Sequence, residues 1–323
     1  MSDSLKDNLP ELQEAVSLND YSNFKVGGPA EFFYVAKNKE DLLKALQVAS
    51  KAKVPYFVLG KGTNILVSDK GFAGLVIKNE CNELKIDGTT VTVDGGYDLA
   101  TLLVELNKLS LGGLEYMAGI PSSLGGAVRG NAGAWGNSIS EKVVSAKVFV
   151  DGEVKDMSHE DLKFGYRDSA IKHVDGAQIL EVTLEVEKVE AMQSKEEMFG
   201  IMGKRSARMP QTANCAGCVF KNIELDKVEV DKEKVIKALD VPAEEYETVT
   251  RFGKLPTGWI IEKLGLSGKV IGGAQVSQKH CAYLLNAGDA TADDIMQLIS
   301  TIKTQVRDKV GIQIEEEIQL VGF

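Results

Sequence analysis

Histidine is nearly missing from this chain: there are three in 323 residues. General acid–base chemistry therefore has few of its usual carriers, and carboxylates or cysteine become the candidates. His280 is one histidine that could serve, against the commoner outcome of a buried or surface-bonded ring. Cysteine is scarce too. Four cysteines in a chain of this length make no disulfide framework, which predicts a cytoplasmic protein with reduced thiols. No stretch approaches the ~20 apolar residues that span a bilayer, so no membrane insertion is expected. The start, MSDSLKDNLPELQEA, lacks the basic and apolar regions of a secretory signal. Positive charge is in deficit, 37 basic against 47 acidic residues for a net charge of −10. That excludes generic nucleic-acid binding, which needs a basic footprint, and any anionic ligand requires a local basic pocket. The G-x-G-x-x-G turn opening into a helix is absent, and with it the Rossmann fingerprint. There is no internal repeat and no low-complexity segment.

What remains is an ordinary globular composition, 44% hydrophobic and 26% charged, long enough for two or three domains. The first third alternates strand and helix. EFFYVA (31–36) and YFVL (56–59) read as strands around a helix over 39–53 capped by Asn38, with Leu42, Leu43, Leu46 and Ala49 at helical spacing. GKGTNILVSDKGFAGLVI carries two further short strands. LKIDGTTVTV and KVFVDGEVKDM read as hairpins turning at Asp87-Gly88 and Asp151-Gly152. Between them Asp98 caps a helix with Leu99, Leu102, Leu103 and Leu106 on one stripe. QILEVTLEVEKV (178–189) alternates as a strand, a charged helix covers 195–208, and a long helix runs from Thr291 to Lys309. GIQIEEEIQLV closes the chain as a strand. The class is α+β, in three lobes: 1–83, 84–190 and 191–323.

Two glycine clusters, Gly60-Lys-Gly-Thr-Asn64 and Ile120-Pro-Ser-Ser-Leu-Gly-Gly126, follow apolar segments. Glycine lets backbone N–H groups converge on an anion. Each alone is equally an ordinary tight turn; together, with GNAGAWG after them, they suggest a long ligand with a pyrophosphate. Arg167 in FGYRDS (164–169) offers a planar fork for a carboxylate or phosphate, against the reading of a surface ion pair. Cys215 and Cys218 form a C-x-x-C. A zinc site needs more ligands, and neither a second C-x-x-C nor an H-x-x-x-H is present. A redox dithiol wants the pair opening a helix, whereas the VFKN that follows reads as a strand. Chance proximity is the third possibility. In the closing strand, period-two alternation puts Ile312, Ile314, Ile318 and Leu320 on one face, with Glu316 on that face and Glu317 on the other; a solvated charge run is the plain alternative.

Taken in order, GGPAEF (27–32), LGKGTNILVSD (59–69), AGIPSSLGGAVRGNAG (118–133), FGYRDS (164–169), AGCVFKN (216–222), GWIIEKLGL (258–266), GGAQVSQKHCAYLLN (272–286) and GIQIEEEIQLVG (311–322) resemble the UDP-N-acetylenolpyruvoylglucosamine reductases, the MurB family. The resemblance runs from about residue 20 to the end of the chain. It implies a two-lobe FAD-binding module of the vanillyl-alcohol-oxidase (PCMH) type, a C-terminal α+β substrate domain, non-covalent FAD and no metal. The resemblance further implies that NADPH reduces the flavin and that UDP-N-acetylglucosamine enolpyruvate then receives a hydride at carbon 3 and a proton at carbon 2, giving UDP-N-acetylmuramate. The resemblance implies no nucleic acid and no obligatory protein partner.

Residue by residue, it puts the catalytic arginine at Arg167, the proton donor at Cys218 and the carboxylate at Glu317. Gly60, Gly62, Thr63, Asn64, Gly119, Ile120, Gly125, Gly126 and Ala127 are implied to meet the cofactor. Tyr166, Lys221, Asn222 and Gln275 are implied to meet the substrate, with Lys204, Arg205 and Arg208 offsetting the negative charge near the UDP. The proton donor is usually serine in this family. A thiol titrates near ~8.5, far below an alkyl hydroxyl, so losing its proton costs less. Choosing Glu317 over the inward-facing Glu316 implies a bulge in the last strand or a site on the face opposite the core. Ile223 stands where proline is usual, Ser122 replaces a glycine, and Gln319 replaces an arginine. The stretch 224–250 looks long, as a lid or a surface hairpin, and the extra tyrosine-bearing loop of one subclass has no counterpart. The rival readings are another flavin oxidase of the same fold and a C-x-x-C metal or redox protein.

Overall fold

The computed structural model describes residues 2–210 and 214–323. It divides into two compact units that interleave along the chain. The first takes the chain up to Val16, Pro29–Gly62 and Phe72–Ala207; the second takes Ser17–Gly28, Thr63–Gly71 and Arg208–Phe323.

In the first unit, strands Pro29–Ala36, Phe72–Asn79 and Tyr56–Leu59 pair in parallel, with Gln13–Ser17 on the edge of the same sheet. The helix Lys39–Ala52 makes the crossover between them, started by the Asn38 side chain accepting from the Asp41 amide. It buries Leu42, Ala45, Leu46 and Ala49, the stripe that 3.6-residue periodicity dictates. A second, antiparallel sheet has five strands in the order Glu153–Ser158, Val143–Val150, Gln178–Glu185, Thr90–Asp94 and Leu84–Asp87. Asp151 and Gly152 turn its hairpin with φ of 55° and 85°, the pair of positive values that a type I′ turn demands. Its central strands are buried on both faces, while the edge strand Glu153–Ser158 is largely exposed. Phe149 and Leu180 pack with the helix Lys39–Ala52. Val148, Val182 and Leu184 pack the other way, with Leu99, Leu102 and Leu106 of the helix Leu99–Lys108.

The second unit is organised by the helix Ala292–Val310, which buries Ile295, Leu298, Ile299, Ile302, Val306 and Val310. Thr291 and Asp294 form its capping box, and Gly311, at φ 83°, ends it. Asp69 holds the first turn by accepting from the Ala292 and Asp293 amides at 2.9 and 3.0 Å. The strand Ile65–Val67 pairs in parallel with Gln319–Val321.

Two expectations need correction here. The segment 224–250 is no surface hairpin. It forms the helices Lys232–Leu239 and Ala243–Thr250, and Val235, Leu239 and Tyr246 join the core of the unit. The closing strand is not continuous either. It has an isolated bridge at Glu316, a bend at Ile318, and a ladder only over Gln319–Val321. Ile312, Ile314 and Ile318 are buried as alternation requires, but Leu320 is 38% exposed and Val321 3%. The side-chain phase flips at the bend.

Candidate active site

In the first unit the two glycine clusters meet. A Cβ at Gly60 would displace the Ser123 hydroxyl, so glycine permits this close approach without cost to it. Ser123 in turn caps the short helix Leu124–Arg129 through the Gly126 amide. The Gly125 amide donates to the Gly95 carbonyl at 2.7 Å, and a Cβ there would come within 2.9 Å of that oxygen. Gly62 and Gly119 have φ of 67° and 78°. Ile120 packs against the core, and Ala127 is buried with its amide bonded to the Ser123 carbonyl. Of the cofactor candidates, these residues shape the cradle from behind.

Cations surround the cradle within the same unit. Lys78, missed in the sequence, donates to the Gly60 carbonyl at 2.5 Å, and burial pulls its ammonium below the usual lysine range. Its signal is a lysine inside the apolar strand FAGLVIKN. Lys61 pairs with Asp98, and the Arg205 side chain lies over Gly119, with its Cδ 3.1 Å from where a Cβ would stand. Glycine loops with Lys78, Lys61 and Arg205 against them suit an anionic group such as the pyrophosphate of FAD. Lys204 and Arg208, from the same basic run, are exposed.

Arg167 sits at a strained position. Gly165 and Asp168 exchange backbone hydrogen bonds at 3.0 and 3.2 Å, leaving Tyr166 and Arg167 as the two central residues of a tight turn. Arg167 has φ 54°, a left-handed conformation that costs an ordinary residue about 1–2 kcal/mol. Such strain persists where the surroundings over-determine it. Here the guanidinium donates to the Gly133 carbonyl at 2.8 Å, stands 5.4 Å over the Tyr166 ring, and the Lys172 ammonium donates to the Arg167 carbonyl at 2.9 Å. Asn131, buried, ties the turn to the GNAG segment by donating to the Gly165 carbonyl at 2.8 Å.

In the second unit, AGCVFKN is a backbone spacer between two segments. Cys218 bridges Tyr283 and Phe220 bridges Glu316, both antiparallel. The Val219 amide donates to the Ala282 carbonyl at 2.8 Å, and the Glu317 amide donates to the Val219 carbonyl at 2.7 Å. Cys218 is half-buried, whereas Cys81, Cys215 and Cys281 are buried. Burial raises the Cys215 thiol above its ordinary range and pushes Cys81 up to about 12. Glu316 is held by the Lys303 ammonium at 2.7 and 2.9 Å.

Lys221 pairs with Glu315 at 3.0 Å. Asn222 accepts from the Thr257 amide at 3.3 Å, at the start of the helix Thr257–Lys263. Gln275 donates to the Gly268 carbonyl at 3.4 Å. His280 lies edge-on to Tyr283 at 5.1 Å, and burial lowers its pKa, which keeps the ring neutral. Among the described residues, no three His, Cys, Asp or Glu side chains gather as a metal site, and no helix is long and apolar enough to cross a membrane.

Comparison with known proteins accords with this layout. Residues 30–158 match the model of an FAD binding domain, and residues 209–321 match that of the UDP-N-acetylenolpyruvoylglucosamine reductase C-terminal domain. A UDP-N-acetylenolpyruvoylglucosamine reductase of Solibacter usitatus is 34% identical over 97% of this chain and 98% of its own length. One from Bacillus subtilis is 33% identical over 94% of this chain and 92% of its own. The crystal structure of the MurB reductase from Thermus caldophilus superposes with a TM-score of 0.75 at 28% identity, covering 96% of this chain and 99% of that one. With both the flavin module and the C-terminal domain matched along nearly its whole length, the chain belongs to the UDP-N-acetylenolpyruvoylglucosamine reductase family.

Proposed function

We propose that Arg167, Cys218 and Glu317 carry the reduction of UDP-N-acetylglucosamine enolpyruvate to UDP-N-acetylmuramate, a step in peptidoglycan precursor synthesis. In this reading the glycine cradle of the first unit binds FAD, and the second unit supplies the proton chemistry. FAD held by these loops would supply the two-electron chemistry, the passage of a hydride from NADPH to carbon 3 of the enolpyruvyl group.

Hydride arrival at carbon 3 pushes negative charge onto the substrate carboxylate. Arg167 holds that carboxylate with its guanidinium fork, which is itself oriented by donating to the Asn131 and Gly133 carbonyls. Its strained turn fixes the fork before substrate arrives, so no reorganisation is needed during reaction. Glu317 stabilises the enol form by hydrogen bonding. Cys218 then gives its proton to carbon 2, which ends the step as a neutral C–H, and the thiolate recovers a proton from water. Tyr166, Lys221, Asn222 and Gln275 are assigned to the UDP-sugar. Lys221 can exchange its exposed Glu315 partner for a phosphate. The four free thiols suit a reducing compartment, the cytoplasm.

The observation that carries this reading is the 2.7 Å bond from the Glu317 amide to the Val219 carbonyl. It puts the acid and the carboxylate on adjoining hydrogen-bonded segments of one unit. The test separates the half-reactions. In Cys218→Ala, flavin reduction by NADPH should stay near normal. Reoxidation by the enolpyruvyl substrate should slow by about 10²–10⁴-fold, the usual contribution of a general acid. Cys218→Ser should restore much of the rate. Loss of both half-reactions in Cys218→Ala, matched by Cys215→Ala, would instead show the two sulfurs acting as a unit.

A further inference from the structure

The bend at Ile318 poses a physical problem. A strand that leaves its register takes the peptide groups on either side of the break away from their ladder partners, and backbone N–H and C=O groups are strong hydrogen-bonding groups that then pair elsewhere. The Glu317 carbonyl and the Gln319 amide flank this break. Both are met by one residue. The Asn64 carboxamide donates to the Glu317 carbonyl at 3.3 Å, and the Asn64 carbonyl accepts from the Gln319 amide at 2.9 Å. With the Glu317 amide already bonded to Val219 at 2.7 Å, both peptide groups of Glu317 are tied down. On the N-terminal side, the Lys303 ion pair fixes Glu316.

From this clamp we infer that Asn64 is a positioning residue for Glu317, acting through the backbone rather than on the substrate. The inference rests on the catalytic assignment of Glu317. In a straight continuation of the strand, alternation would carry Ile318 and Leu320 to one face together. Instead Leu320 is exposed and Val321 buried, so the clamp holds a phase flip immediately after the carboxylate. Releasing one arm lets the segment relax toward regular alternation and moves the Glu317 carboxylate. Asn64 ends the Gly60–Asn64 loop, and both its carbonyl and its carboxamide are spent on the segment that carries Glu317. The family resemblance assigns Asn64 to the cofactor alone.

The test uses the full-length holoenzyme. Asn64→Ala should retain flavin and its reduction by NADPH, while reoxidation by the enolpyruvyl substrate slows by about 10–100-fold, the scale of a misplacement near 1 Å. The drop should fall on kcat rather than KM. In a double-mutant cycle, adding Asn64→Ala to Glu317→Gln should cost little beyond Glu317→Gln alone, because the two act through one group. Asn64→Asp, which keeps the volume but replaces the donor with an acceptor, should be at least as slow as Asn64→Ala. Flavin loss in both Asn64 variants overturns the inference in favour of a cofactor ligand. Multiplicative losses in the cycle overturn it too, as does failure of both variants to fold, which would leave Asn64 a purely structural residue. An inactive Glu317→Gln beside a fully active Asn64→Ala sinks the inference but spares the catalytic reading. A fully active Glu317→Gln sinks the reading itself.

Discussion

The glycine loops of the first unit and the segments of the second proposed to carry catalysis are built on opposite plans. The cradle is made of backbone. Gly60, Gly119 and Gly125 leave room that a single Cβ would fill, and the charge comes from Lys78 and its neighbours behind the loop. The proposed catalytic segments offer side chains carried on irregular strand, where Cys218 and Glu317 sit on hydrogen-bonded backbone beside a break. A backbone site fails through shape, since any added atom collides. A side-chain site tolerates its scaffold and fails through chemistry, since the wrong functional group fits but does not react.

The sharpest contrast lies between neighbours. Glu317→Gln should abolish turnover while leaving fold and flavin content unchanged. Glu316→Gln, which removes one charge from the part-buried pair with Lys303, should keep most activity. Steady-state rates of the two purified variants decide this, and the reverse pattern would move the catalytic carboxylate to Glu316.

For the cradle, Gly126→Leu should strip the flavin, because two serine hydroxyls already lie 3.2 and 3.3 Å from the position of a Cβ. The absorbance ratio of flavin to protein reads it out, and full occupancy would show that this loop does not face the pyrophosphate. A milder change, Gly60→Ala, should lower occupancy and stability together. Its methyl displaces the Ser123 hydroxyl from its capping bond, a loss of about 0.5–2 kcal/mol, seen as a lower melting temperature of the apoprotein. Unchanged melting would mean that the two glycine loops part without cost.

The smallest effect is expected at the other cysteine. Cys215→Ala removes a sulfur from the core of the second unit and should cost about 1 kcal/mol of stability with both half-reactions intact. A large kinetic effect there would erase the distinction between the two residues of the C-x-x-C.

Many local features are legible in the residues themselves. Asn38, Asp98 and Thr291 cap the helices that their sequence positions announce, because capping is decided by a side chain and amides two or three residues away. The hairpin turns at Gly88 and at Asp151-Gly152 follow from local φ preference. The segment 224–250 is opaque because its high charge masks two short helices with narrow buried stripes, Val235 and Leu239 in one and Tyr246 in the other. The last strand misleads through a regular alternation that no local signal interrupts. Lys78 is invisible as a site residue because its partner, the Gly60 carbonyl, lies 18 residues away.

By itself, then, the sequence determined the chemistry on offer: eight ordered motifs, few proton carriers beyond cysteine and carboxylate, and glycine where backbone must approach an anion. These are properties of residue types and short spacings. Only the tertiary structure decided which segments share a unit. Residues 17–28 and 63–71 leave their sequence neighbours to join 208–323, since the parallel pairing of Ile65–Val67 with Gln319–Val321 spans some 250 residues of chain. That pairing begins directly after the bend at Ile318. Alternation along an isolated strand points Glu317 one way or the other according to register, and register is a property of the partner strand, not of the strand that bears the residue.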